Sequence, residues 1–392
     1  MRHRTAQTWH VAVVVENVPL GVDTRLRKQV DDLLEAGHRV TVITMRHDDN
    51  APYRSTPGIK LLEYPAPKEP AGPAGYLREY TVACFWALLL LTRLRLRARI
   101  DVLQLCQPPD IYFPLFRLVR LFGARVVVDQ RDLMPELLAS RYENAPAALT
   151  AVLHWLERRS HRAADVSITV NDYLRDRLVE AGAHPDRTVV VRNGPVLRRV
   201  QRSAPDLAPE AGARLIVWAG KMGRQDRVDL AVRVAERLVF VHGRKDVRIV
   251  LLGDGECLEE VRKLASDLGV SSWMSFPGWL SEEEVFSYFA SADLGLDTSL
   301  QEEVSPVKAM EYMAHGLPFV CFDLLETRRM ATGCARFVSP GDVDTLADAV
   351  HALLDDESAR RTLGAAGRDR VETELCWEQQ NAAYLRAVGP VA

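Results

Sequence analysis

The chain has 392 residues, enough for two domains that each bury a core. Its hydrophobic and charged fractions, 47% and 26%, are those of a soluble globular protein, and a net charge of −3 gives no electrostatic case for nucleic acid as a partner. The six cysteines, at 84, 106, 257, 321, 334 and 376, form no C-x-x-C pair and read as reduced, mostly buried thiols of a cytoplasmic protein. No run of 18 apolar residues is present to span a membrane, and residues 1–9 do not read as a signal peptide.

Residues 10–15 form a short apolar run, the mark of a strand buried on both faces. A loop with Gly21 and Asp23 follows, then a helix over 25–36, a stop at Gly37, and a strand over 39–44. This is the first unit of a doubly wound parallel sheet, an α/β fold whose ligands bind at the C-terminal strand ends. Gly21 either lets a ligand approach the backbone or serves a turn. Asp23 either caps the helix or meets a substrate hydroxyl. Arg25 either reaches a phosphate or is a solvated helix residue.

A strand over 59–64 and a Pro-rich loop over 65–73 lead to an apolar helix over 76–91, closed by Arg93, Arg95, Arg97 and Arg99. It reads as a core helix, or, through residues 76–99, as an element dipping into an anionic membrane surface. Strands over 101–106 and 125–130 end in Gln107-Pro108-Pro109-Asp110 and in Arg131-Asp132-Leu133-Met134-Pro135-Glu136. Polar groups at these ends point to a cleft. Asp132 and Glu136 serve it or simply cap or pair with Arg131. Strands over 166–170 and 188–192 finish the first sheet, and the domain boundary falls in the loop over 193–213.

The alternation then repeats. A strand over 215–220 feeds the basic loop from Lys221 to Arg227, and a helix begins near Val228, an arrangement suited to a diphosphate. Strands follow over 247–253, 273–278, 292–297 and 319–322. Trp273 reads as core, whereas Trp279 is core or a wall for a nucleobase. The domains span 1–195 and 212–375, with a tail over 376–392 crossing back to the first.

Between the last two of those strands lies the most informative stretch. Ser305 reads as a helix N-cap and Pro306 as the first helical residue, followed by Val307, with the helix running to His315 and stopping at Gly316. Such an opening presents free N–H groups and a positive dipole end, which suits a phosphate. Lys308 adds a full charge there. Glu303 lies in the loop before it, and Glu311 about a turn and a half inside. Lys308 and Glu311 also fit an ordinary helix-surface ion pair.

The string from Glu303 to Pro318 resembles the Glu-x7-Glu motif of retaining glycosyltransferases with the GT-B fold, family 4, and the likeness extends along almost the whole chain. The resemblance implies two Rossmann-like domains facing across a cleft. It implies transfer of a sugar from a nucleoside-diphosphate-sugar donor to a hydroxyl of a carbohydrate, lipid-linked or small-molecule acceptor, with retention. Glu311 would hold the ribose, Glu303 the sugar and its anomeric carbon, and Lys221, Lys308 and Arg227 or Arg224 the diphosphate. No cofactor or metal is implied, since cations and helix dipoles can replace Mg²⁺. Two departures stand out. Arg131 occupies the place of a family His near the reaction centre, beside Asp132, so that residue's hydrogen bonds do not carry over. In the loop pattern G-R-x-x-x-x-K-G, Lys221 takes the Arg place, Asp226 the Lys place and Arg227 the Gly place. A sugar-nucleotide epimerase of the same fold and a non-catalytic binding protein are the other readings.

Overall fold

A computed structural model of the protein describes residues 8–16, 18–66, 72–141, 146–201, 212–302 and 306–389. The chain divides into two compact units. The first comprises Met1–Val191 and Asn381–Ala392, the second Arg192–Gln380.

The first unit is built on seven parallel strands: β1 (His10–Val14), β2 (Arg39–Met45), β3 (Ile59–Tyr64), β4 (Val102–Gln107), β5 (Arg125–Gln130), β6 (Val166–Thr169) and β7 (Thr188–Val190). Their order is β3-β2-β1-β4-β5-β6-β7. Every residue of β1 and β4 is buried, which is why β1 reads as a near-continuous apolar run. Helix α1 (Thr24–Glu35) opens on Asp23, whose carboxylate accepts from the Leu26 N–H at 2.9 Å. Asp23 therefore caps the helix, one of its two expected roles.

Helix α2 (Gly72–Arg97) shows two faces. Ala87, Leu91 and Leu94 pack with Ile43, Tyr64, Leu103 and Leu105 in the core. On the other side Phe85 and Leu96 are exposed, at 59% and 82%. Among the described residues no helix is long and apolar enough to cross a membrane.

The second unit holds six parallel strands: β8 (Arg214–Ala219), β9 (Val247–Leu252), β10 (Met274–Gly278), β11 (Leu294–Asp297), β12 (Phe319–Phe322) and β13 (Arg336–Val338), in the order β10-β9-β8-β11-β12-β13. Helix α3 (Val228–Glu236) follows β8 and α4 (Val307–Ala314) follows β11. Helix α5 (Trp377–Val388) begins in the second unit, where the Trp377 N–H donates to Pro195 O at 2.9 Å. It ends in the first, where the buried Tyr384 hydroxyl donates to Gln104 Oε1 at 2.8 Å.

In both sheets the strand order reverses beside the first strand, between β1 and β4 and between β8 and β11. At such a switch point the flanking connections leave on opposite faces and open a crevice at the C-terminal strand ends. The loop with Gly21 leaves β1 there, and the loop with Lys221 leaves β8 there.

Candidate functional site

At the switch point of the second unit, two strand ends are stitched together by one side chain. Tyr312, on α4, is fully buried, and its hydroxyl oxygen lies 3.2 Å from the Ala219 N–H, 3.3 Å from Val217 O and 3.2 Å from Leu296 O. A side chain on Gly295 would collide with the Tyr312 ring at 2.6 Å, so the glycine is what lets that ring reach the strand ends. This tyrosine was legible only as part of the Glu-x7-Glu string.

The stitch brings Lys308 over the same ends. Its Nζ sits 3.4 Å from Asp297 Oδ1 and 4.2 Å from the centre of the buried Trp218 ring, and it makes no hydrogen bond. The charge of Lys308 is thus directed to Asp297 and the ring face rather than forming a surface pair along its own helix. Trp218 and Asp297 were not singled out in the sequence. Asp226 is half-buried in the neighbouring loop. Burial raises its pKa above the usual carboxylate range, against the opposing pull of Lys308 and Lys221 and with the help of Asp297. Lys221, Asp226, Asp297 and Lys308 therefore interact within one corner. Only Lys221 of the four is exposed.

The loop from 221 to 227 is held by hydrogen bonds to Asp226. Asp226 accepts the Gly223 N–H at 3.3 Å, and the Asp226 carbonyl accepts the Thr298 hydroxyl at 2.9 Å. Arg227 adopts φ +48°, a left-handed backbone that explains why the related pattern has glycine there. Its guanidinium does not turn to the strand ends. It grips Asp229 with two hydrogen bonds of 2.9 Å. Arg224 pairs with Glu260 at 3.4 Å on the surface.

Helix α4 starts one residue later than expected, with Val307 as its first residue and Pro306 as the cap. Glu303 and Ser305 lie outside the described residues. Glu311 is half-buried on α4, one turn beyond Lys308. Trp279 is 77% exposed at the end of β10, available as a wall, whereas Trp273 stacks edge-on with Phe240 against the core.

The switch point of the first unit is built differently. Arg25 is neither solvated nor free for a phosphate. It is buried, and its guanidinium binds Asp129 through Nη2 at 2.8 Å and Nε at 3.1 Å and donates to Val191 O at 2.8 Å. Arg131 pairs with Asp23, lies 3.5 Å from Asp129, and donates to Cys106 Sγ at 3.2 Å. Burial alone would raise the Asp129 carboxyl, but Arg25 and Arg131 together hold it at about 2. Gln29 adds a third donor to Asp129 at 2.9 Å. Glu136 does not pair with Arg131; it pairs with Arg177 at 3.1 Å. Asp132 is exposed, and its carbonyl accepts from Gln130 Nε2 at 2.8 Å. Gly21 owes its missing side chain to the chain itself. A Cβ there would meet Asp49 O at 2.0 Å, and its N–H donates to Asn50 Oδ1 at 3.1 Å.

These two parallel-sheet units, together with the likeness to solved structures, define the class: the fold is GT-B. The family model "Glycosyl transferase 4-like domain" matches residues 21–194, and the model "Glycosyl transferases group 1" matches residues 213–356. One relative is the MMP alpha-(1->4)-mannosyltransferase of Mycolicibacterium hassiacum, 35% identical over 155 residues, with 38% of each chain covered. The chain thus aligns with well under half the length of that relative. A second is the sulfoquinovosyl transferase SQD2 of Arabidopsis thaliana, 22% identical over 97% of this chain and 76% of that one. Among solved structures, Anabaena Alr3699/HepE in complex with UDP superposes with a TM-score of 0.74 at 12% identity, covering 97% of this chain and 99% of that one. The two family matches, one on each sheet, support a glycosyltransferase of the family 4 type.

Proposed function

We propose that the protein transfers a sugar from a nucleoside-diphosphate-sugar donor to a hydroxyl of a carbohydrate, lipid-linked or small-molecule acceptor, with retention and without a metal. The observation that carries this reading is Lys308, whose buried ammonium makes no hydrogen bond and has its counter-ion Asp297 at 3.4 Å, at the C-terminal ends of β8 and β11 beside the N-terminus of α4. A diphosphate is the ligand that such a corner lacks. UDP in the Anabaena structure and the mannosyl and sulfoquinovosyl groups in the relatives' names agree with a nucleotide-sugar donor.

In this reading Lys308 and Lys221 offset the charge that grows on the diphosphate as the sugar leaves. The α4 N-terminus, which opens at Val307 after the Pro306 cap, contributes its backbone N–H groups and dipole. Glu311 accepts from the ribose hydroxyls, and Glu303 holds the sugar. Arg131 is already shared between Asp23 and Asp129, so its role is to fix the strand end that presents Asp132, with little charge left for a leaving group. The exposed Phe85 and Leu96 on the Arg-rich α2 suit contact with a membrane carrying a lipid-linked acceptor.

Calorimetry with UDP, GDP and ADP, on wild type and on Lys308→Ala, tests the donor site. Binding of one diphosphate that falls at least tenfold in the variant is expected. Equal binding by both proteins would remove the basis for the reading. Turnover unchanged by EDTA is expected, and nuclear magnetic resonance of the product reads the anomeric outcome. No observation favours the epimerase or the non-catalytic alternative.

A further inference from the structure

The first unit carries a cavity of about 960 Å³ at the edge opposite its strand-end loops. It lies at the N-terminal ends of β1, β4, β5, β6 and β7, and the last turns of α5 complete its wall. Four arginines line it: Arg120, Arg125, Arg187 and Arg386. The carboxylates beside them are mostly spoken for. Asp165 binds Arg120 at 2.5 Å and the Val126 N–H at 2.8 Å. Asp101 binds Arg99 at 2.9 Å and the His10 N–H at 2.9 Å. Asp186 is 91% exposed and lies nearest to His184, at 3.9 Å.

Arg125 is the telling residue. Its Nε and Nη1 are out of contact with water and have no hydrogen-bond partner. Burial lowers its pKa; Asp165 opposes that and Arg187 adds to it. Two guanidinium nitrogens shut off from water without acceptors are costly, and a second like charge nearby makes them more so. What the group lacks is an oxyanion with several acceptor atoms, the partner that a guanidinium fork fits best. Arg187, from the turn before β7, and Arg386, from α5, bring further charge from separate elements. The volume is that of a site for a small organic molecule rather than for a bare ion alone.

We propose that this cavity is an anion site that takes a phosphorylated small molecule, with Arg125, Arg187 and Arg386 holding its phosphate. The site belongs to one unit and does not depend on the donor reading. Inorganic pyrophosphate serves as the probe, and Trp9, which lines the cavity, reports on it. The full chain is titrated with sodium pyrophosphate at fixed ionic strength while tryptophan emission and, in parallel, calorimetric heat are followed. A saturable response is expected that persists in Lys308→Ala and is at least tenfold weaker in Arg187→Gln/Arg386→Gln. Both arginines are exposed, so the double variant should melt as wild type does. Loss of the optical signal in Trp9→Phe, with the heat retained, places the binding at this cavity. The proposal falls if neither signal saturates, if the double variant responds within twofold of wild type, or if sodium chloride of equal ionic strength reproduces the response.

Discussion

The two switch points of this molecule use the same topology and opposite electrostatics. In the first unit, Arg25, Asp23, Asp129 and Arg131 are sealed into a network in which every charge meets an opposite one at short range. In the second, Lys308 has one counter-ion at 3.4 Å, Lys221 is exposed, and Asp226 is held with a raised pKa. A closed network stabilises a strand end. A corner whose buried ammonium makes no hydrogen bond keeps donors that a ligand can use. On the proposed function the contrast sets structure at one end against binding at the other, and four changes test it.

The largest effect is expected from Asp129→Ala. It strands two buried guanidinium groups, so unfolding free energy should fall by about 3–5 kcal/mol in urea denaturation. A loss below about 1 kcal/mol would mean that the network is not sealed. Next comes Lys308→Ala, which should lower kcat/KM for the nucleotide sugar on the order of a hundredfold while the melting temperature moves little. Equal losses of stability and turnover would make Lys308 structural.

A third test uses pH. Burial raises the Glu16 carboxyl to about 8 against the hydrogen bond from Tyr112, with Glu79 adding to the rise. The folded state then binds this proton more tightly than the unfolded state, so stability falls as pH climbs from the ordinary carboxylate value towards 8. The slope approaches about 1.4 kcal/mol per pH unit. Glu16→Gln should flatten that slope, as read from melting temperatures between pH 5 and pH 8; an unchanged slope would show that Glu16 is not its source.

The smallest effect concerns Arg227→Gly. It relieves a left-handed backbone at the expense of a half-exposed pair with Asp229, so stability should shift by less than about 1 kcal/mol. Donor KM should stay within twofold, since the guanidinium is already gripped by Asp229. A tenfold rise would return Arg227 to the diphosphate.

The central strands were legible because they are buried on two faces and announce themselves as runs such as 11–15 and 215–219. The Glu-x7-Glu stretch was legible as a string, but the residues that aim Lys308 were not. Trp218 and Asp297 look like an ordinary core aromatic and an ordinary strand end, and only the meeting of β8, β11 and α4 makes them neighbours of one ammonium. Arg25 shows the reverse failure. At the first turn of a helix it suits solvent or a phosphate, and nothing local reveals an aspartate 104 residues further on. Arg227 shows that an arginine can hold the left-handed backbone that glycine favours.

Helix α5 gives the first unit a feature of practical weight: it is not one continuous piece of polypeptide. A fragment that stops at Val191 would be missing Tyr384, leaving the interior amide of Gln104 one donor short and an aromatic-sized hole beside it. Joining residues 381–392 to that fragment through a short flexible spacer should restore solubility and cooperative melting, which the shorter piece is expected to lack.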